Sequence, residues 1–104
     1  MKKIIVTGCN GQLGRAVNEY YKNAADISFV NTDVAELDIT DREAAIAYVR
    51  RHQPDTVINC AAMTNVDGCE KDRDAAFRAN ALGPRNLAMA CDKIGARLIH
   101  ISTD

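Results

Sequence analysis

The sequence predicts an α/β fold, a parallel sheet with helices on both faces in three layers. Three observations carry this. Short, nearly continuous apolar runs recur at Ile4-Ile5-Val6, Thr56-Val57-Ile58 and Leu98-Ile99, as strands buried on both faces require. Stretches with helical periodicity separate them, which implies right-handed crossovers between parallel strands. The first run is then broken by Gly8, Gly11 and Gly14, just where a helical pattern begins.

Lys3 to Thr7 is the first strand. From Gln12 to about Asn23, Leu13, Val17 and Tyr20 or Tyr21 form one helical stripe. Ile27 to Thr32 is a second strand, and Val34 to Asp38 a short extended piece able to pair as a third. Thr40-Asp41-Arg42-Glu43 has the form of a capping box, with Thr40 as the cap of a helix from Arg42 to about His52. Gln53-Pro54 stops that helix, because proline disfavours helix in the residue before it.

Thr56 to Cys60 is the next buried strand, and Ala61 to about Lys71 reads as a loop. Asp72 or Asp74 can cap a long helix running through Phe77, Leu87 and Ile94, with a kink expected at Gly83-Pro84. Gly95 ends it as a C′ glycine, and Leu98 to Ser102 is the last strand. The order is β-α-β-(β)-α-β-α-β in one domain, residues 1–104, with no repeat and no linker. This is a Rossmann-like sheet cut off after its fifth strand, with strand order 3-2-1-4-5 and its switch point between the strands of Ile5 and Val57. An ending so close to a buried strand implies a piece of a longer protein.

Composition narrows the function classes. The 104 residues carry a net charge of −1, with 13 basic and 14 acidic residues interspersed. That pattern argues against a nucleic-acid footprint or a polybasic membrane anchor. No apolar run approaches the ~20 residues of a membrane span. The apolar stretch after Met1-Lys2-Lys3 ends at Thr7, too short for a signal peptide, so a cytoplasmic protein is expected. Cys9, Cys60, Cys69 and Cys91 form no C-x-x-C and have no histidine at ligand spacing, so no metal and no disulfide are expected.

The glycine turn carries the chemistry. One glycine allows a tight turn, one lets the backbone approach a pyrophosphate, and one lets helix and strand pack closely. Together with the partial positive charge of the helix N-terminus, Gly8, Gly11 and Gly14 form a dinucleotide-binding element, or else a glycine-rich turn between strand and helix that holds no ligand. Asp33, 19 residues after Gly14, can accept from adenosine ribose hydroxyls or be a solvated loop carboxylate. Arg15 could instead meet a 2′-phosphate, so the choice between NADH and NADPH stays open. Asp38 can accept from an adenine amino group with Ile39 covering the ring, or be an aspartate preceding a helix beside Thr40. Small residues in Asn59-Cys60-Ala61-Ala62-Met63-Thr64 let a cofactor lie against bare backbone, or simply pack tightly. Thr103 brings to the same sheet edge a hydroxyl that can polarise a carbonyl or assist a proton donor, or be a helix cap or loop hydroxyl. His52 and His100 read as structural.

Together these residues resemble the extended short-chain dehydrogenase/reductase superfamily, and within it the dTDP-4-dehydrorhamnose reductase family. The likeness covers the whole chain. It runs through Val6-Thr7-Gly8, Gly11-Gln12-Leu13-Gly14, Glu36-Leu37-Asp38-Ile39-Thr40, and Pro54 to Ala62 with Thr64, Val66-Asp67 and Glu70. It continues through Asn80 to Ala88 and closes on His100-Ile101-Ser102-Thr103-Asp104.

The resemblance implies reduction of the 4-keto group of a dTDP-sugar, dTDP-4-dehydrorhamnose, with NADPH or NADH, in making precursors for cell-surface polysaccharide. It implies Thr103 as one member of a Thr-Tyr-Lys catalytic set whose Tyr and Lys lie outside these residues. The carried-over cofactor positions are Gly11, Gln12, Leu13, Asp33, Asp38, Ile39, Ala62, Met63 and Thr64, with Ala61 beside them. Thr64, Val66, Thr103 and Asp104 match the substrate side. Met63 stands where the family has Tyr or His. With one of three catalytic groups present, the 104-residue chain alone is expected to be inactive, and the longer protein to form a homodimer. Rival readings are a sugar-nucleotide epimerase or dehydratase, and a non-enzymatic NADP-binding module resembling the regulatory subunit of methionine adenosyltransferase.

Overall fold

In the computed structural model, which describes residues 2–33, 35–60 and 81–101, four strands pair in parallel. They are β1 (Lys2–Thr7), β2 (Ile27–Thr32), β3 (Thr56–Asn59) and β4 (Arg97–His100), in the spatial order β2-β1-β3-β4. The chain steps outward in one direction from β1 to β2 and in the other from β3 to β4. The switch point therefore falls between β1 and β3, where Ile5 pairs with Val57 as expected.

The register explains why one end of the sheet is chemically different from its middle. Val30, Ile5, Val57 and Leu98 form one row across all four strands. Two residues on, and so on the same face, the next row is Thr32, Thr7, Asn59 and His100. The first row is apolar and belongs to the core. The second is polar and lies at the carboxyl edge. Thr32, Thr7 and Asn59 are each only 1% exposed, so their polar groups must be satisfied inside the protein.

Helices cover both faces. α1 (Gln12–Tyr20) joins β1 to β2, α2 (Arg42–His52) follows β2, and α3 (Gly83–Ile94) precedes β4. α2 and α3 pack over Ile5 and Val57 in a core containing Ala45, Val49, Leu87, Ala90 and Cys91. Full burial of Ile5, Val49, Val57 and Leu87 is worth about 1.5–3 kcal/mol for each side chain. α1 lies against the other face, where the Tyr21 ring at its end sits 6.3 Å from that of Phe29.

Several expectations are corrected. The 35–38 stretch forms turns, with the amides of Glu36 and Leu37 both donating to the Asp33 carbonyl at 2.9 Å, so it adds no strand beyond β2. The described sheet therefore has four strands. Asp41, not Thr40, caps α2: its carboxylate accepts from the Ala44 amide at 3.1 Å. The Thr40 hydroxyl instead donates to Asp38 Oδ1 at 2.6 Å. α1 ends at Tyr20 rather than near Asn23, and β4 ends at His100 rather than Ser102.

α3 is described from Gly83, with Pro84 in its first turn and the backbone already helical at Leu82, φ −77° and ψ −34°. The residues that would show a kink at Gly83-Pro84 extend outside the described ones. The expected helix start at Asp72 or Asp74 lies outside the described residues. The stops are as predicted. Gln53, before Pro54, leaves α2 in the left-handed region at φ 47°, and Gly95 ends α3 at φ 72°.

Candidate cofactor-binding site

The three glycines divide their work. Gly8 has φ 65°, which turns the chain out of β1, and its carbonyl accepts from the Gly11 amide at 3.1 Å. A Cβ on Gly14 would collide with the Gly8 carbonyl and come within 2.7 Å of Cys9 Cα. The chain itself thus requires glycine at both positions. Gly11 differs: its φ is −76°, and a Cβ would meet only the Gly8 oxygen at an ordinary 3.4 Å. The fold has no need of glycine there, and the residue is exposed at the mouth of the turn.

Gly11 is also the N-cap of α1. It offers no side-chain acceptor, and the first turn has no acidic residue. The N-terminal amides and partial positive charge of α1 are thus left uncapped by side chains, with Gln12 exposed and Leu13 half-buried in its first turn. The turn is tied to the sheet by the Cys9 amide, which donates to the Thr32 carbonyl at 3.1 Å.

Asp33 follows β2 and reaches the turn. Its Oδ2 accepts from the Asn10 amide at 3.2 Å, while its own amide donates to Glu36 Oε2 at 3.2 Å. Both carboxylates are felt at Cys9. Burial first, then the charges of Asp33 and Glu36, push the Cys9 thiol above its usual range. Burial likewise raises Cys60 and Cys91, so these three free thiols are poor nucleophiles at neutral pH.

Asp38 is exposed, and its Oδ1 accepts from both the amide and the hydroxyl of Thr40, at 3.0 and 2.6 Å. That oxygen thus organises the turn before α2. Ile39, expected to cover an adenine ring, is 5% exposed and packs in the core. A Cβ on Gly83 would sit 2.5 Å from Ile39 Cδ1, and Asn86 Nδ2 donates to the Ile39 carbonyl at 2.9 Å. The side chain is committed to holding α3.

The polar row completes the carboxyl edge. The Thr7 hydroxyl donates to Asn59 Oδ1 at 2.6 Å, and Asn59 Nδ2 lies 3.0 Å from His100 Nδ1. This link was not read from the sequence. A buried asparagine in an apolar strand was the available signal, since such an amide needs a partner. Ala61, Ala62, Met63, Thr64, Val66, Thr103 and Asp104 lie outside the described residues. No group of three or more candidate metal ligands occurs among the described residues.

The family model described as "RmlD substrate binding domain" matches residues 1–104. The chain is 42% identical over 104 residues to a dTDP-4-dehydrorhamnose reductase of Mycobacterium tuberculosis, covering 99% of this chain and 33% of that protein. It is 38% identical to the spore coat polysaccharide biosynthesis protein SpsK of Bacillus subtilis, covering all of this chain and 36% of the relative. A solved dTDP-4-dehydrorhamnose reductase from Bacillus anthracis, in complex with NADP, superposes with a TM-score of 0.89. It is 40% identical, over 97% of this chain and 36% of that one. The chain thus spans about a third of the length of the relatives it matches. On this evidence the chain belongs to the RmlD substrate binding domain family.

Proposed function

We propose that residues 1–104 are the NADPH- or NADH-binding domain of a longer reductase that converts dTDP-4-dehydrorhamnose to dTDP-rhamnose. The observation that carries this is Gly11. It is a glycine the fold does not need, exposed beside an uncapped helix N-terminus, and a pyrophosphate is what such a cradle accepts.

In this reading the amides at Gly11, Gln12 and Leu13 hold the pyrophosphate, and Gly8 and Gly14 shape the turn. Asp33 faces the adenosine ribose and Asp38 the adenine amino group. Ala61, Ala62, Met63 and Thr64, after β3, contact the cofactor. Thr64, Val66, Thr103 and Asp104 line the substrate side. Bound cofactor supplies a hydride to the ketone carbon. Thr103 donates a hydrogen bond to the ketone oxygen, which strengthens as negative charge develops there. The proton comes from a Tyr whose pKa an adjacent Lys lowers.

The 104 residues contain no Tyr-x-x-x-Lys, so they bind cofactor without turning over substrate. Among the described residues no helix is long and apolar enough to cross a membrane. The same reading has the longer protein act in the cytoplasm as a homodimer, in the supply of polysaccharide precursors.

The test is a reductase assay. The longer protein should consume NADPH or NADH in step with dTDP-4-dehydrorhamnose, and Thr103→Val should lower kcat about 10- to 100-fold. The 104-residue chain should consume none. Turnover by that chain, or none by the longer protein, contradicts the reading.

A further inference from the structure

Asn10 is the one asparagine of the chain that glycine follows. It is exposed in the turn between β1 and α1 and lines an open cavity of about 590 Å³, together with Asn18 and Asn31. The three carboxamides differ in how far they are committed. Asn18 and Asn31 clasp each other through two hydrogen bonds, at 2.8 and 3.0 Å. The Asn10 carboxamide makes no hydrogen bond among the described residues, so it is free to turn onto its own main chain. Only the backbone is held there. The Asn10 amide donates to Asp33 Oδ2 at 3.2 Å, and the Gly11 amide donates to the Gly8 carbonyl at 3.1 Å.

We propose that Asn10 is a self-modification site, at which the turn deamidates with age and the carboxylate so formed closes the uncapped end of α1 to anions. The Gly11 nitrogen attacks the side-chain carbonyl carbon of Asn10. The carboxamide nitrogen departs as ammonia, taking the proton that the Gly11 nitrogen gives up. Water from the open cavity then hydrolyses the cyclic imide, leaving aspartate or isoaspartate according to which carbonyl it attacks. Nothing is oxidised or reduced. Glycine at position 11 favours the attack, since it has no Cβ to shield its nitrogen and its backbone bends freely. The bond from the Gly11 amide to the Gly8 carbonyl is the brake. It must open first, and exposed turns open locally at little cost.

The consequence follows from charge. The N-cap of α1 offers no side-chain acceptor, and its first turn has no acidic residue. A carboxylate at position 10 stands one residue before that N-cap, where a helix N-terminus stabilises negative charge. It competes there with any phosphate, and it also repels the Asp33 carboxylate that holds the Asn10 amide. The isoaspartate product further lengthens the main chain between Gly8 and Gly11 by one carbon. The closure rests on the cofactor reading of the glycine turn, whereas the modification itself does not.

The test ages the folded chain in mildly alkaline buffer, maps each asparagine by peptide mass, and titrates NADPH calorimetrically into fresh and aged samples. Position 10 should convert at least about tenfold faster than any other asparagine, with isoaspartate among the products. Aged chain and Asn10→Asp should both bind NADPH about three- to tenfold more weakly than fresh chain. Asn10→Gln should keep its affinity on ageing, because a glutamine must close a larger ring and does so far more slowly. If Asn10 converts no faster than the other asparagines, the inference falls and the cofactor reading stands. If aged chain and Asn10→Asp bind NADPH as tightly as fresh chain, the closure is overturned. If fresh chain binds no NADPH, the cofactor reading and the closure fall together.

Discussion

The Thr7 hydroxyl donates to Asn59 Oδ1 across 2.6 Å, joining β1 to β3 at the switch point, and both residues are 1% exposed. This bond adds a buried polar link at the carboxyl ends of the two strands, whose register the backbone ladder also carries. Asn59 then passes the link to His100 on β4, so three strand ends are held together at the edge where a cofactor would lie.

Replacing Thr7 by valine should therefore cost more than a methyl-for-hydroxyl exchange on the surface. It leaves a buried carboxamide oxygen without this donor, at about 1–3 kcal/mol. Thr7→Ser keeps the donor and should retain most of the stability. Urea midpoints of the three chains decide it, and equal losses for valine and serine would show that the hydroxyl is not what matters.

The cap of α2 gives a second test. Asp41→Ala removes the side chain that accepts from the Ala44 amide and should destabilise by about 0.5–2 kcal/mol. Glu43→Ala should cost well under that, because the expected reciprocal bond to Thr40 is not made. Thermal melts of the two variants compare them directly. A larger loss from Glu43→Ala would restore the capping box.

A pH dependence follows from His52. Partial burial, then the nearby charges of Lys3 and Arg51, lowers its pKa below the ordinary 6.5. The unfolded chain then takes up the proton first as pH falls. The neutral ring's contribution is fully present above about pH 6.5 and is lost as pH drops toward the lowered folded value. Urea midpoints between about pH 8 and about pH 5.5 should fall on acidification, and His52→Gln should flatten that slope. An unchanged slope in His52→Gln would assign the pH dependence to other groups.

Much of this was legible from the chain. Strand positions followed from apolar runs bounded by turns, and the β1–β3 switch point followed from the alternation of strands and helices. The stops at Gln53-Pro54 and Gly95 followed from backbone chemistry that acts locally. The errors share a cause. Thr40 and Asp41 are both competent caps, and the choice between them depends on Asp38, which captures the Thr40 hydroxyl first. For Ile39 the sequence shows an apolar residue beside an acid but not its place in the core. Only the approach of Gly83 on α3, far away in sequence, shows that its side chain is needed in the core. The separate duties of Gly8, Gly11 and Gly14 also required coordinates, since their spacing is the same whichever one faces a ligand.

That separation permits the most direct measurement. Gly11→Val places a side chain where the fold has room and a pyrophosphate would lie. NADPH titrated calorimetrically into the chain should bind saturably, and Gly11→Val should weaken binding at least about tenfold. The variant's melting temperature should stay within about 8 °C of the parent, as a loss of about 1 kcal/mol or less implies. If Gly11→Val binds NADPH as tightly as the parent chain, the glycine turn is not the phosphate cradle.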